Sequence, residues 1–403
     1  MLFKMAGRTQ YWRDLAQKLK RMRILHTIES LNPKQGGPSS CTYDLLEGLC
    51  DIGVQAELLT VKCMNPDEHN LGEGKSWLRE VPYDYKTPLC FSRNLKRELV
   101  DSEYDLYHVN TLWLYQCHAT CQIAREKHRP YVLSPHGMLY PNALRISWWK
   151  KLLMLKLWFN KDIREATCLH VTCRQEMGHC RACNYKGPIA VIPNPVVLPD
   201  GVQLAESRPE GKRQIGFLGR LHPIKKVENL LYALALLADD DRDKISLQIM
   251  GKYNAKYENF LKHETERLRL TECVEFVGFV SGCEKYTRLS KLWALFVPSE
   301  SENFGMIVPE ALICGTPVYA SLGTPWEELN EHRCGWWKDN QPETIASVMH
   351  DILTISEQES LEMGHRGYQL IVEKYEQHKV ARMMKQLYEW ILFDGEKPSF
   401  VYE

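Results

Sequence analysis

The stretch Ser299–Pro317, SESENFGMIVPEALICGTP, contains the most specific signal in the chain. Glu302 and Glu310 lie within it, separated by seven residues that begin with Asn-Phe-Gly. The apolar run Leu292–Val297 ahead of it predicts a buried parallel strand, and residues 307–314 predict a helix. The turn is therefore expected at the carboxyl end of a strand, where unpaired helix N–H groups favour an anionic ligand.

Carboxylates beside such a turn suit a ligand that has several hydroxyls. An ionised glutamate is an acceptor that can take two neighbouring hydroxyl protons, so an anion site flanked by glutamates fits a sugar phosphate or a sugar nucleotide. Ordinary helix caps have a similar composition, and from this stretch alone both interpretations stay open. The residues expected to contact the ligand are Glu302, Asn303, Phe304, Gly305 and Glu310.

A second turn upstream favours the sugar-nucleotide interpretation. Gly216–Lys226, GFLGRLHPIKK, predicts a strand, a turn and then a helix that begins near Val227. Gly219, Arg220 and Lys225 are its candidate ligand contacts, because a guanidinium fork and an ammonium can bind a diphosphate leaving group. Basic residues after a strand are often plain surface charges, but the two turns in this order strengthen the functional interpretation.

These two turns give the chain a resemblance to the retaining glycosyltransferases of group 1, also called family 4. The shared motifs are G-R-x-x-x-x-K from Gly219 and, about eighty residues later, S-x-x-E-x-F-G followed by E-A-L-x-x-G-T-P-V. The resemblance implies the GT-B architecture: an α/β fold of two Rossmann-like domains with parallel sheets facing across a cleft.

Other segments extend the resemblance over most of the chain. ILHTIESLNPKQGGPSS, with Gly36 and Gly37, resembles the first strand and Gly-Gly loop of the family, and LSPHGMLYPNAL, with His136, resembles its H-G-M segment. CLHVTCRQE and VIPNPV resemble its hinge approach. GTPWEELNEHRCGWW is typical of a subgroup in capsule, exopolysaccharide and lipopolysaccharide biosynthesis. Departures occur at Lys226, where the family usually has glycine, and at residues 323–325, which replace a Gly-Gly loop.

The resemblance implies a role for His136. A lone histidine is more often structural, and chemistry alone favours that interpretation. In the family this histidine borders the donor sugar, where its imidazole or backbone carbonyl stabilises positive charge near the anomeric carbon. Gly137 follows it and lets the backbone come close to a ligand.

The resemblance also implies a mechanism without a carboxylate nucleophile. The acceptor hydroxyl attacks on the side from which the diphosphate leaves, and the departing phosphate oxygen is the base. Arg220 and Lys225 stabilise the charge that grows there. Glu310 binds the ribose hydroxyls and Glu302 those of the transferred sugar. No cofactor or metal is expected besides the nucleotide-diphosphate sugar, and residues 239–241, three aspartates, are interpreted as solvated charge.

Composition and organisation agree with this assignment. The 403 residues suit two domains, predicted at residues 1–205 and 206–378. The resemblance implies that a C-terminal helix from about residue 379 returns to the first domain. A net charge of +0 excludes the large basic excess of nucleic-acid-binding proteins. With neither a signal-peptide core nor an apolar run of about 18 residues, a cytoplasmic protein is predicted. Its 14 cysteines are expected to be reduced thiols, and Cys180 and Cys183 lack the second pair that zinc requires.

Two segments raise the question of membrane contact. Residues 1–23 contain seven basic residues and one acid, and Trp148–Lys161, WWKKLLMLKLWFNK, contains four lysines, three tryptophans and no acid. The second segment is either a partly buried helix with snorkelling lysines or an interfacial patch, and we favour the patch. Peripheral contact with anionic lipid at the inner face of the membrane follows.

The predicted function is retaining transfer of a sugar from a nucleotide-diphosphate sugar to a glycan or lipid-linked acceptor during surface polysaccharide synthesis. Two alternatives remain open: an inactive GT-B protein that only binds sugar nucleotides, and a GT-B epimerase. The presence of Arg220, Lys225, Glu302 and Glu310 argues against loss of activity.

Overall fold

The computed structural model describes residues 22–63, 65, 67–84, 89–199, 201, 204 and 206–403. These residues form two compact units. One unit contains the described residues up to Pro195 together with Gln377–Glu403, and the other is Val196–Glu376. The predicted basic segment at the N-terminus, apart from its last residues, lies outside the described residues.

Each unit is built on one sheet. The strands are numbered here in the order in which they occur along the chain. They are β1 Arg23–Thr27, β2 Gln55–Val61, β3 Leu78–Val81, β4 Leu106–Asn110, β5 Tyr131–Ser134, β6 Cys168–Val171, β7 Ile189–Val191, β8 Arg213–Leu218, β9 Ile245–Met250, β10 Val274–Gly278, β11 Ala294–Val297, β12 Val318–Ser321, β13 Gly335–Lys338 and β14 Val401–Tyr402. All neighbouring pairs are parallel except β14 and β7. The prediction of two mostly parallel sheets is confirmed.

The helices alternate with the strands. They are α1 Gly37–Asp51, α2 Arg93–Asp101, α3 Tyr115–Glu126, α4 Pro141–Arg145, α5 Trp148–Met154, α6 Asn160–Arg164, α7 Arg174–Ala182, α8 Glu228–Leu236, α9 Asp239–Arg242, α10 Ala255–Arg267, α11 Gly282–Ser290, α12 Ile307–Leu312, α13 Glu328–Glu331, α14 Pro342–Thr354, α15 Glu357–Leu370 and α16 Gln377–Phe393. Among the described residues, none of these helices is both long and apolar enough to cross a bilayer.

The strand order defines one special place in each sheet. The first sheet has the order β14-β7-β6-β5-β4-β1-β2-β3, and the second has the order β10-β9-β8-β11-β12-β13. In the first sheet, β2 and β3 are added on one side of β1, and β4 is then added on its other side. In the second sheet, β9 and β10 are added on one side of β8, and β11 is then added on its other side. The strand order therefore reverses between β1 and β4 and between β8 and β11. In open parallel sheets, ligands bind outside the carboxyl ends of the strands at such a reversal.

The boundary between the units differs from the predicted one. The prediction places it between residues 205 and 206, whereas the structure divides the chain after Pro195. Val196 already belongs to the second unit because its N–H donates to Tyr375 O at 2.8 Å. Arg208, near the predicted boundary, is buried and donates to Leu292 O at 2.9 Å and to Gly315 O at 2.7 Å.

The C-terminal helix completes the core of the first unit. Along α16, Val380, Met384 and Leu387 are fully buried in a cluster that also contains Leu45 and Leu49 of α1. Burying an aliphatic side chain contributes about 1.5–3 kcal/mol. This contact begins at Gln377, two residues before the predicted start of the returning helix.

A chain of hydrogen bonds crosses the buried interior of the first unit. His170 Nε2 lies 2.9 Å from Ile192 O and must donate to it, since a carbonyl oxygen only accepts. His170 Nδ1 therefore accepts from the Ser134 hydroxyl at 2.7 Å. Ser134 Oγ in turn accepts from His108 Nε2 at 2.6 Å.

The chain continues onto the C-terminal helix. His108 Nδ1 accepts from the Tyr388 hydroxyl at 2.6 Å, and the Tyr388 oxygen accepts from His26 Nε2 at 2.9 Å. Every imidazole in this arrangement is neutral and has one defined tautomer. Burial lowers the pKa of His26 to about 3, with His170 adding to the effect, and burial lowers the pKa of His170 to about 4 and that of His108 well below its ordinary value.

These three histidines predict that acid destabilises the first unit selectively. Below pH about 6.5 the unfolded chain binds protons that the native unit excludes, so stability falls as pH falls. Each histidine contributes up to about 1.4 kcal/mol per pH unit. We expect urea denaturation at pH 6.5 and 5.5, followed by pulse proteolysis with mass identification of the fragments, to show a loss of about 3 kcal/mol, because the unfolded histidines are already half protonated at pH 6.5.

The second unit provides an internal control. All its described histidines, at positions 222, 263, 332, 350 and 365, are exposed. The described part of the second unit therefore has no buried histidine that could cause a matching loss of stability in acid. Equal loss of stability in both units between these two pH values would contradict the proposed cause.

Candidate active site

Two turns lie side by side at the carboxyl edge of the second sheet. Gly219 follows β8 and Ser299 follows β11, so both lie where the strand order reverses. Gly219 N donates to Met250 O at 3.0 Å. Gly251 then passes so close that a Cβ on it would lie 1.8 Å from Gly219 O. A side chain at position 251 would push the Gly219 turn out of place.

Lys225 and Glu302 join the two turns. Lys225 ends a short 3₁₀ turn, Pro223–Lys225, and its ammonium makes an ion pair with Glu302 Oε1. Ser299 Oγ donates to the same carboxylate oxygen at 2.7 Å. The two charged side chains are only 17% and 13% exposed, so this pair is held in a partly dry environment. The structure thus brings together two of the predicted catalytic residues, which are 77 positions apart in the chain.

The backbone at position 226 accounts for the glycine that the family usually has there. Its φ of 50° lies in the left-handed region, where glycine is favoured. The usual glycine of the family suits this backbone. Here a lysine occupies the same conformation and makes an ion pair with Glu300 at 3.5 Å.

The Asn-Phe-Gly turn is anchored from below by Phe304. This residue is a predicted ligand contact, but its side chain is 4% exposed and packs on Trp326, with ring centroids 5.2 Å apart. The Phe304 carbonyl also accepts from Trp326 Nε1 at 2.6 Å. The Phe304 side chain fixes the turn, so a ligand contact at this position would use the backbone, and that contact stays a prediction. Asn303 and Gly305 on either side are half-buried, and Gly305 has a φ of 76°.

Glu310 lies in the first turn of α12 and pairs with a residue that the sequence did not indicate. Lys285 Nζ of α11 lies 3.0 Å from Glu310 Oε1. Burial lowers the pKa of Lys285, but the Glu310 carboxylate outweighs that effect, so the pKa is raised overall. Nothing in the local sequence distinguishes Lys285 from a surface lysine. Only the adjacency of the two helices identifies it.

Arg220 has a different environment from that of Lys225. It is exposed, and its guanidinium carbon lies 5.1 Å from the centroid of the Tyr253 ring. Tyr253 is itself 63% exposed and follows β9. Arg220 and Lys225 leave the same turn, but in this structure they contact different partners.

In the first unit, His136 follows β5 in a left-handed conformation. Its φ is 49°, and that of Gly137 is 76°. His136 Nε2 lies 3.2 Å from Asn110 Oδ1. Burial, with a smaller effect of His170, lowers the pKa of His136 to about 3, so the ring is neutral at physiological pH.

The Gly-Gly loop of the first unit lies at the start of α1. Gly36, with a φ of 100°, caps α1, and Gly37 is the first residue of that helix. Farther along α1, beyond its first turn, a small cavity has Thr42, Asn110 and His136 among its lining residues. The Thr42 hydroxyl is buried and unpaired among the residues that the structure describes.

One group of three side chains in the described part of the chain could offer ligands to a metal ion. It consists of Glu328, Glu331 and His332, and the last two are exposed. The Glu328 carboxylate already accepts from Lys374 and from the Tyr375 hydroxyl. Independence of metal therefore stays a prediction.

Comparisons with known proteins agree with this geometry. Residues 204–370 match the family model of "Glycosyl transferases group 1", and residues 35–198 match that of "Glycosyltransferase Family 4". An uncharacterized glycosyltransferase of Methanocaldococcus jannaschii is 27% identical over 192 residues, which are 45% of each chain. The GDP-mannose-dependent alpha-(1-6)-phosphatidylinositol dimannoside mannosyltransferase of Mycobacterium tuberculosis is 31% identical over 137 residues, which are 34% of each chain. The matched regions thus span less than half of these relatives.

A solved structure covers more of the fold. The HepE protein of Anabaena, crystallised with UDP and glucose, has a TM-score of 0.71 and 18% identity over 91% of this chain and 99% of that one. The fold is therefore GT-B, as predicted. With both halves of the chain matched by their family models, the protein belongs to the group 1 glycosyltransferases.

Proposed function

We propose that this protein transfers a sugar from a nucleotide-diphosphate sugar to an acceptor hydroxyl with retention of the anomeric configuration. The observation that supports this most directly is the Lys225–Glu302 pair, with Ser299, at the reversal point of the second sheet. In this pair, a lysine ammonium lies beside a carboxylate that can accept hydrogen bonds from sugar hydroxyls. Both lie at the edge of the sheet where ligands bind. Relatives in the comparisons use GDP-mannose, and HepE has been crystallised with UDP-glucose.

Each side chain has a part in this reaction. Glu310 accepts hydrogen bonds from the ribose hydroxyls, and the ion pair with Lys285 orients that carboxylate. Lys225 has three N–H donors, so it can bind a phosphate oxygen while it stays paired with Glu302. Arg220 is exposed on the same turn and adds a guanidinium fork for the diphosphate.

The bonds change in one step at the anomeric carbon. The bond from this carbon to the phosphate oxygen breaks, and a bond to the acceptor oxygen forms on the same face. The acceptor proton passes to the departing phosphate oxygen. Negative charge on the diphosphate peaks in this transition state, where Arg220 and Lys225 stabilise it.

Removing the Glu310 carboxylate should weaken nucleotide binding. We expect Glu310→Ala to lose roughly 1.5–3 kcal/mol of binding free energy for free UDP or GDP, the usual scale for hydrogen bonds to a charged group. Isothermal titration calorimetry with both nucleotides measures it. Glu300→Ala is the matched control, because this exposed carboxylate lies in the loop before α12, makes an ion pair with Lys226 and should change affinity by less than about twofold. Unchanged affinity in Glu310→Ala would overturn the ribose assignment.

The two cations should act on turnover more than on binding. Arg220→Ala and Lys225→Ala are each expected to lower kcat by on the order of 100-fold with little change in KM, because the leaving-group charge is largest in the transition state. Steady-state kinetics with the donor that the protein turns over measures both constants. Lys226→Ala, a neighbouring lysine on the same turn, is the control. Losses of affinity with kcat unchanged would instead assign both residues to ground-state binding.

The same assay tests the proposed independence of metal. With two cations facing the leaving group, addition of EDTA should leave kcat within about twofold of its value without chelator. Complete loss of activity, restored by a divalent ion, would show that the diphosphate is neutralised by a metal instead.

We further propose that the acceptor is reached at the cytoplasmic face of a membrane and is a lipid-linked oligosaccharide of surface polysaccharide synthesis. The support is the segment 145–161, whose large apolar side chains face solvent. Six of them are between 53% and 69% exposed: Ile146, Trp148, Trp149, Leu152, Leu153 and Leu157. Five basic residues and no acid lie in the same segment. Exposed tryptophans and leucines with lysines fit an anionic lipid surface.

This surface should bind vesicles through both its charge and its apolar residues. Lys150, Lys156 and Lys161 are exposed, and each contributes about 1 kcal/mol near an anionic bilayer. Their triple replacement by glutamine should therefore lower partitioning roughly 100-fold at low salt. The double variant Trp148→Ser/Trp149→Ser should lower partitioning into vesicles at every salt concentration, because salt does not screen the apolar contribution of the two tryptophans. Flotation with phosphatidylglycerol vesicles measures both.

A second triple variant controls for net charge. Lys256, Lys262 and Lys291 are exposed lysines of the second unit, and their replacement by glutamine removes the same charge. It should leave flotation unchanged. Wild-type protein that stays out of the vesicle fraction even at low salt would overturn the membrane proposal without affecting the assigned chemistry.

A further inference from the structure

A buried carboxylate lies directly beneath the His136 turn. Glu176, in the first turn of α7, is fully buried. Its Oε1 accepts from Gly137 N at 2.5 Å. Its Oε2 accepts from Thr172 N at 2.8 Å and from the Thr172 hydroxyl at 3.1 Å. The carboxylate thus connects the turn after β5 with the turn after β6.

The surroundings of Glu176 require a group with two accepting oxygens. The backbone N–H groups of Gly137 and Thr172 can only donate, and they face different oxygens. A glutamine side chain would turn its NH₂ group toward one of them, and a protonated acid would present its hydroxyl proton there. Burial raises the pKa of Glu176, but its hydrogen bonds act in the opposite direction. A carboxylate is therefore specified at this position by geometry.

The turn that Glu176 supports is otherwise unfavourable. A left-handed residue other than glycine costs roughly 1–2 kcal/mol, and His136 adopts this conformation immediately before Gly137. Such strain persists where the surroundings fix the backbone. The Gly137–Glu176 hydrogen bond fixes it from one side.

Asn110 fixes the imidazole from the other side. Its Nδ2 lies 3.4 Å from Thr27 O, which leaves Oδ1 facing His136 Nε2. That nitrogen must donate, so Nδ1 of the neutral ring has the lone pair. Backbone and ring of His136 are therefore held independently, by Glu176 and by Asn110.

We propose that Glu176 is a positioning residue of the transfer reaction, acting through Gly137 on the conformation of His136. This inference rests on the proposed function. According to this inference, Glu176 is a buried acid of the first unit that does not contact substrate but is needed for full turnover. A purely structural carboxylate would affect stability without a selective effect on kcat.

The test compares Glu176→Gln, His136→Ala and the double variant. At a temperature where all are folded, Glu176→Gln should lower kcat at least tenfold, while KM for the donor and the Kd for free UDP or GDP stay within twofold. The double variant should be no slower than His136→Ala, because both changes disrupt one unit of function. Glu176→Asp retains two accepting oxygens and should recover part of the lost kcat; it also serves if Glu176→Gln fails to fold.

Asp162→Asn is the matched control. Asp162 is a fully buried carboxylate of the same unit, paired with Arg125 at 2.8 Å and with His118 at 2.8 Å. Its replacement should destabilise the unit and leave kcat within twofold. An equal fall of kcat in Asp162→Asn and Glu176→Gln, or additive effects in the double variant, would overturn the positioning role.

A readout without turnover separates this inference from the proposed function. Amide hydrogen exchange of Gly137, followed by NMR, should accelerate at least tenfold in Glu176→Gln relative to amides of β5. Unchanged exchange would refute the inference even in an active enzyme. Absence of sugar transfer by the wild-type protein would refute the proposed function. In that case, faster exchange of the Gly137 amide in Glu176→Gln would show that Glu176 holds the turn, but it would not support a role in catalysis.

Discussion

The parallel arrangement of the strands is the constraint on which both candidate sites depend. Strands that are covered by helices on both faces are buried along most of their length. Polar side chains that contact a ligand therefore lie in the turns at the strand ends. Gly219 and Ser299 in one sheet, and His136 in the other, all follow the last residue of a strand. The reversal of strand order then separates two neighbouring helices and opens space for a ligand between the turns.

Much of this framework could be predicted from the sequence, because it depends on local pattern. The apolar run Leu292–Val297 predicted β11, Ala294–Val297, with a shift of two residues at its start, and residues 307–314 predicted α12, Ile307–Leu312, with the correct first residue. The motif spacing also placed Lys225 and Glu302 at adjacent turns. These signals are short-range, and tertiary packing agrees with them.

Partners could not be predicted where they come from other elements. Lys285 and Glu310 are 25 positions apart, and Gly137 and Glu176 are 39 positions apart. Neither spacing follows from helix or strand periodicity. The packing of Phe304 on Trp326 could not be predicted either, because these two residues are 22 positions apart and belong to different turns.

The hydrogen-bonded chain from His170 to His26 follows one rule. A buried donor or acceptor is costly unless it is paired, so each group between the ends of this chain needs one defined protonation state. At the His26 end, Nδ1 has no partner among the described residues. Tyr388 is the member that ties the C-terminal helix to this rule, because its hydroxyl donates to His108 and accepts from His26. Helix α16 therefore needs a tyrosine at this place, as phenylalanine would satisfy the packing but leave two imidazole nitrogens without partners. The return of the chain to the first unit is in this way specified by hydrogen bonding as well as by apolar burial.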